Sequence, residues 1–341
     1  MSARDRDWDG VRLHVVTGKG GTGKTTLAAA LALALAAGGH KVLLVEVEGR
    51  QGIAQLFDQP PLPYGEHEVA SAPGGGRVYA LAVDAEAALL EYLEMFYGIR
   101  RAGQALTRFG AVDFATTIAP GVRDVLLTGK ATEAVRRRAG DRRRGARDDP
   151  RAPHAYDAVV MDAPPTGRVA QFLNVNAEVA GLARMGPIRN HADKVMETMR
   201  SPRTVVHFVT LLEEMPAQET IDGITEIREV GLNVGAVMVN LVRERFFDDA
   251  ALADALAGTL DTDALAHGLK AARVDRPDEA AHDLAAEITA HARRVRVETA
   301  IRERLASVER PRYELPMLGA GGTDRADLDT LAGLLREQGA A

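Results

Sequence analysis

Gly18-Lys19-Gly20-Gly21-Thr22-Gly23-Lys24-Thr25 is the stretch that decides the fold. It satisfies the phosphate-loop pattern G-x-x-x-x-G-K-[ST] at every specified position. An apolar run, Val11–Thr17, precedes it, and an Ala/Leu stretch, Leu27–Ala37, follows. A strand, a glycine loop and a helix in that order let backbone N–H groups curl inward around phosphate oxygens, with the helix N-terminus adding its positive end. Gly20, Gly21, Thr22 and Gly23 supply the curl. Lys24 is expected to reach the β- and γ-phosphates. Thr25 offers a hydroxyl to Mg²⁺, and Thr26 joins the loop as a nucleotide contact. The Ala/Leu helix has no polar face, so it is expected to lie buried and to end at Gly38-Gly39.

Outward from this loop, runs rich in β-branched residues recur at Lys41–Val47, Arg77–Val83, Ala158–Asp162, Thr204–Thr210 and Val234–Asn240, with a weaker one at Tyr313–Met317. Helical patterns follow or separate most of them. That alternation predicts an α/β fold, a mainly parallel sheet with helices on both faces. Ligands of such sheets gather at the carboxyl ends of the strands. The 341 residues allow one large domain, 1–341, or two modest ones, and a hydrophobic content of 46% is enough for a sizeable core. We read a single domain. Asp58–Gly76, rich in Pro and Gly, reads as a long loop. Helical insertions are expected at about 84–133, where Leu89, Leu93 and Phe96 share a face, and at 178–200, which carries Met185, Met196 and Met199. The two are expected to pack as a helical subdomain. Arg136–Arg151 holds eight arginines and three aspartates without interleaved aromatics, and reads as a solvated, flexible loop.

A net charge of −6 argues against a nucleic-acid binder or a polybasic membrane anchor. With no cysteine, thiolate metal sites are excluded, and the nine histidines show no ligand spacing, so no zinc is expected. No leader or membrane span is visible, and a cytoplasmic location is expected because ATP is there. No G-x-S-x-G elbow is present.

Tyr156–Asp162 is a second informative run: apolar residues ending in an aspartate describe a buried strand that delivers a carboxylate to the metal side of the loop. Asp162 is the candidate Mg²⁺ holder, with an acidic strand cap as the alternative.

Together these residues resemble a known family. Lys19, one residue after the first glycine, resembles the deviant Walker A lysine of the MinD/ArsA class of P-loop NTPases. Asp162-Ala163-Pro164-Pro165-Thr166-Gly167-Arg168 is similar to the switch II signature D-T-A-P-T-G-H of the ArsA and guided-entry (tail-anchored protein targeting) ATPases. Val42–Phe57 resembles their switch I, and Val237–Asn240 and Leu315–Leu318 their adenine loops. The chain is thus similar to a cysteine-free, bacterial-type member. The resemblance implies a Mg²⁺-dependent ATP hydrolase in which two subunits face each other across ATP. Since there is one phosphate loop, it implies a homodimer or a heterodimer with a paralogue. Hydrolysis would be coupled to conformational change for a membrane-protein client or transporter partner. It implies that Lys19 reaches the partner's phosphates in trans; the alternative is a further phosphate-facing charge in cis. Asn240 would bond the adenine edge and Pro316 pack on the ring, or merely end a strand. No N-K-x-D motif follows Asn240, so ATP is expected rather than GTP.

Departures from the pattern are informative. Where the family's switch I has D-P-A-H-N, this chain has Glu48-Gly49-Arg50-Gln51-Gly52. Glu48 is the expected water-orienting residue, Glu46 its rival on the same strand face, and a surface glutamate the plain alternative. The zinc-binding C-x-x-C of eukaryotic guided-entry dimers and the metalloid cysteines of ArsA are absent. Met185, Met196 and Met199 are either core filling or a thin client groove. Glu213-Glu214 either senses nucleotide or places charge at a helix N-terminus. Other readings are a MinD/ParA-like positioning ATPase, against which the short, non-basic tail Asp324–Ala341 argues, and a regulatory ATP-binding subunit with weak hydrolysis.

Overall fold

The computed structural model describes residues 7–84, 86–88, 91, 120–139, 152–182, 187–319 and 323–341. Their centre is an eight-stranded sheet in the order β3-β4-β2-β5-β1-β6-β7-β8. The strands are β1 (Leu13–Gly18), β2 (Lys41–Glu46), β3 (His67–Ala72), β4 (Gly76–Ala82), β5 (Ala158–Asp162), β6 (Thr204–Thr210), β7 (Val234–Val242) and β8 (Arg312–Pro316). All neighbouring pairs are parallel except β3 with β4. The helices are α1 (Lys24–Ala36), α2 (Gly52–Leu56), α3 (Pro120–Arg136), α4 (Thr166–Leu182), α5 (Pro187–Arg200), α6 (Glu214–Glu229), α7 (Asp249–Ala257), α8 (Thr262–Ala271), α9 (Pro277–Ala306) and α10 (Arg325–Glu337).

Because side chains alternate across a strand, the central strands feed two cores. Leu13, Val15, Leu43 and Val45 face one core, where Leu127, Phe172, Val195 and Ile224 bring in α3, α4, α5 and α6. Val16, Val42 and Leu44 face the other, filled by Leu27, Leu31 and Leu33 of α1 and by Leu328, Leu331 and Leu335 of α10. Helix α1 is buried along almost its whole length, as its uniform Ala/Leu composition requires.

The second core also encloses two neutral histidines. The Ala236 N–H donates to Nδ1 of His207, so His207 Nε2–H donates to Nδ1 of His14, 3.0 Å away. Both rings are fully buried, and burial drives both pKa values down, that of His14 to about 3.

Three segments differ from the sequence expectation. Asp58–Gly76 contains β3, an antiparallel edge strand that Pro73–Gly75 turns into β4. Its residues are mostly exposed or half-buried, so the apolar alternation that reveals a strand is missing. The helical stretch expected over 178–200 is two helices: α4 begins at Thr166, directly after the switch II run, and α5 starts at Pro187. Met196 and Met199 are buried core filling on α5, while Met185 lies outside the described residues. Outside them too lie Leu89, Leu93, Phe96 and the arginine-rich run beyond Ala139; the start of that run is not the solvated loop expected, because Arg136 ends α3 and the buried Arg137 pairs with Glu66 at 2.6 Å. Finally, α7, α8 and α9 intervene between β7 and β8, with a small core of Leu252, Ala255, Ile288 and Ala292.

Candidate nucleotide site

The strand order puts the carboxyl ends of β2, β5 and β1 side by side, and with them Glu46, Asp162 and the loop Lys19–Gly23. At Gly18 a Cβ would collide with the Val209 carbonyl of β6, so the strand can pass into the loop only as glycine. Gly23 takes φ 86°, and a Cβ there would strike the Asn240 amide. Gly20 and Gly21 are exposed at the loop's tip. Thr22, almost wholly buried, donates its hydroxyl to the Lys19 carbonyl at 2.8 Å and holds the loop closed on itself. Lys24 is buried at the first position of α1, and Thr26 is half-buried two residues on.

Thr25 Oγ1 donates to Asp162 Oδ2 at 2.7 Å. Asp162 is 5% exposed, and its other oxygen, Oδ1, is buried without a partner. Burial raises its pKa to about 6; Thr25 and Lys24 oppose the rise, while Glu46 and Glu48 add to it. An orphaned carboxylate oxygen beside a threonine hydroxyl, under a glycine cradle, fits a hydrated divalent cation shared with phosphate oxygens. Among the described residues no group of three His, Asp or Glu could hold a metal by itself.

Glu46 is 2% exposed; its Oε2 accepts the Ile53 N–H of α2 at 3.1 Å and its Oε1 is buried without a partner. Glu48 is half-buried, and its near charge is the exposed Arg50 at 3.9 Å. Both carboxylates thus stand near Asp162.

The switch II run is tied on several sides. Ala163 N–H donates to the Val16 carbonyl at 2.9 Å, and Thr17 Oγ1 to the Pro164 carbonyl at 2.7 Å. Thr166, nearly buried at the start of α4, donates to Glu219 Oε2 of α6 at 3.2 Å. Arg168 pairs with Asp124 of α3 at 3.0 Å.

A hollow of about 420 Å³ opens beside the loop, lined among others by Asn240, Leu241, Glu213, Val297 and Met317. Asn240 donates its amide N–H to the Thr22 carbonyl at 2.9 Å. Pro316 ends β8, and it is the following residue, Met317, 53% exposed, that lines the hollow. Glu213 and Glu214 stand at the N-terminus of α6 and line the same hollow, an arrangement that accommodates either reading of them.

The sequence that builds this site has relatives. The model of the anion-transporting ATPase family matches residues 11–202, which run from the start of β1 through switch II to the end of α5. The chain belongs to the anion-transporting ATPase family. A relative named ATPase BagA, from Mycobacterium tuberculosis, is 51% identical over 330 residues, 97% of this chain and 94% of that one. The arsenical pump-driving ATPase of Escherichia coli is 26% identical over 66% of this chain and 38% of its own length. The ATPase GET3 of Kluyveromyces lactis is 23% identical over 69% of this chain and 73% of its own.

Two contacts of this region were not singled out in the sequence. One is Met317, which lines the hollow next to Pro316 at the end of β8. The other is Glu219, whose Oε1 forms an ion pair with Lys19 Nζ. Nothing in a lone glutamate on a helix 200 residues away signals that contact.

Proposed function

We propose that this member of the anion-transporting ATPase family is a Mg²⁺-dependent ATP hydrolase that works as a dimer, with itself or a paralogue. It drives a conformational change for a membrane-protein client or transporter partner. The observation that carries this reading is the Thr25–Asp162 hydrogen bond with its orphaned Asp162 Oδ1, set under the glycine cradle and Lys24. Thr25 and Asp162 would hold Mg²⁺, which neutralises phosphate charge when bound. Gly20, Gly21, Thr22 and Gly23 present backbone N–H groups to the phosphates, and Lys24 supplies a fixed positive charge. Glu48 orients the attacking water, with Glu46 as the nearer-anchored rival. Lys19 completes the partner's site, as the resemblance of its phosphate loop to the deviant Walker A class implies.

Asn240 supports ATP over GTP. The Thr22 carbonyl can only accept, so it takes the Asn240 amide N–H. The amide oxygen is left to meet the base, where it accepts from the 6-amino group of adenine and repels the 6-oxo group of guanine. Leu241, Met317 and Val297 offer apolar contact to the ring. Pump-driving among its relatives supports a membrane partner. No helix among the described residues is long and apolar enough to cross a membrane, so such a partner would contribute the span. A cytoplasmic location follows from the ATP supply.

The reading is tested on the purified chain with a phosphate-release assay. ATP with Mg²⁺ is turned over; EDTA abolishes turnover; GTP is used at least about tenfold less well, the scale of one mismatched hydrogen-bonding group. Lys24→Ala, the control, loses ATP binding. Tight ATP binding without any turnover would replace this reading by that of a regulatory subunit, which the loose hold on Glu48 favours.

A further inference from the structure

Lys19 is held at both ends. Its backbone carbonyl accepts from Thr22 Oγ1 at 2.8 Å, which fixes the residue in the loop. Its side chain leaves the loop and pairs with Glu219 Oε1 on α6. The second oxygen of the same carboxylate accepts from Thr166 Oγ1, the first helical residue after the switch II run. One glutamate therefore joins the phosphate loop, switch II and α6, one oxygen to each partner. The Lys19 and Glu219 side chains are 32% and 35% exposed, so the pair is open to exchange.

We propose that Glu219 is a positioning residue that keeps Lys19 within its own subunit until a nucleotide phosphate replaces the carboxylate. Through Thr166 it links that release to switch II. The proposal rests on the ATPase reading of the site for the identity of the phosphate. An ammonium on a flexible four-carbon stem pairs with whichever anion is near. Exchanging a carboxylate for a triphosphate swaps one anion for another of greater charge, so Lys19 never has to be stripped of a counter-charge. A half-exposed pair is weak enough for this exchange. Movement of switch II removes Thr166 from the carboxylate, and departure of Lys19 leaves Thr166 as its remaining partner. The two events are coupled because they share one group.

Amine acetylation read by mass spectrometry tests this without requiring turnover. The chain has six lysines, among them the exposed Lys194 and Lys270 as internal references. Without nucleotide, Glu219→Gln should speed acetylation of Lys19 relative to Lys194 by about threefold or more, because the amide removes the charge partner. Glu219→Asp should restore part of the protection, and Thr166→Val should raise the Lys19 rate less than Glu219→Gln. In turnover assays at low protein concentration, Glu219→Gln should equal or exceed the wild type. Lys19 reactivity unchanged by Glu219→Gln overturns the proposal. So does turnover falling to the level of Lys19→Ala, which would put Glu219 in the chemistry itself. Should the variant fail to fold, the wild type decides. Screening predicts at least about a twofold rise in the Lys19 to Lys194 ratio from low salt to 1 M NaCl, and a flat ratio overturns the proposal. If no chain hydrolyses ATP, the ATPase reading fails while the acetylation pattern still decides whether Glu219 holds Lys19.

Discussion

Switch I and switch II leave neighbouring strands, β2 and β5, at the same edge of the sheet, yet they are held very differently. Switch II is fastened by Ala163 to β1, by Pro164 to Thr17, by Thr166 to Glu219 and by Arg168 to Asp124. Switch I rests on Glu46 at one end, through Ile53, and on Gln51 at the other, whose amide brackets the backbone of Leu62. Gly49 and Gln51 take positive φ, and among the described residues Glu48 is held only by a 3.9 Å approach of Arg50. On the proposed function, the carboxylate assigned to the metal, Asp162, is built in, whereas the one assigned to water, Glu48, is still to be positioned. On that reading the site would grip phosphate before it is ready to hydrolyse.

Asp162 carries the largest effect. Asp162→Asn should cut Mg²⁺-dependent ATP turnover by about 100-fold or more, since it removes the built-in charge. The same change should stabilise the nucleotide-free chain. The folded Asp162 has a pKa of about 6 against an ordinary 3.8, so between these values the folded chain keeps a proton that the unfolded chain has lost. Stability from this group therefore falls as pH rises from 3.8 to 6 and stays low above it. In urea at pH 7.5, Asp162→Asn should gain up to about 3 kcal/mol over the wild type, and the gain should vanish below about pH 4. A wild type that is the more stable at pH 7.5 would mean that Asp162 is not isolated in the free chain.

Next come the switch I glutamates. Glu48→Gln should lower turnover by roughly 10- to 100-fold with ATP affinity nearly unchanged, the range of a lost general base. Glu46→Gln retains an acceptor for Ile53 and should cost only a few-fold. The reverse ranking would transfer the water-orienting role to Glu46 and make switch I as firmly held at its functional carboxylate as switch II. The smallest effect is at the hinge: Gln51→Ala removes two hydrogen bonds to Leu62 and should cost about 1–2 kcal/mol in urea unfolding. No loss would show that switch I has no fixed hinge there.

Much of this was legible in the sequence, for physical reasons that differ by element. The central strands announce themselves because burial on both faces demands continuous apolar runs, as in Val42–Val45 and Ala158–Met161. Thr25 and Asp162 were legible because loop and strand end each carry a local motif, and the parallel pairing of β1 with β5 brings them together. Edge strand β3 was hidden because it needs only one buried side. Helices α7 to α9 were hidden because Ala-rich segments with small cores give weak periodicity. Glu219 was invisible for a stronger reason: its meaning lies in two contacts, to Lys19 and Thr166, that exist only once α6 packs beside switch II.

On the proposed function, a phosphate grip already built in the single chain is completed by Lys19 across a second subunit. The most direct test measures ATP binding and turnover of wild type and Lys19→Ala over a range of protein concentrations. The account predicts wild-type turnover per chain that rises with concentration. For Lys19→Ala it predicts turnover down by about 100-fold at every concentration, with ATP affinity within about threefold of wild type, the mark of a group acting in the transition state. Lys19→Ala hydrolysing ATP at the wild-type rate would contradict it.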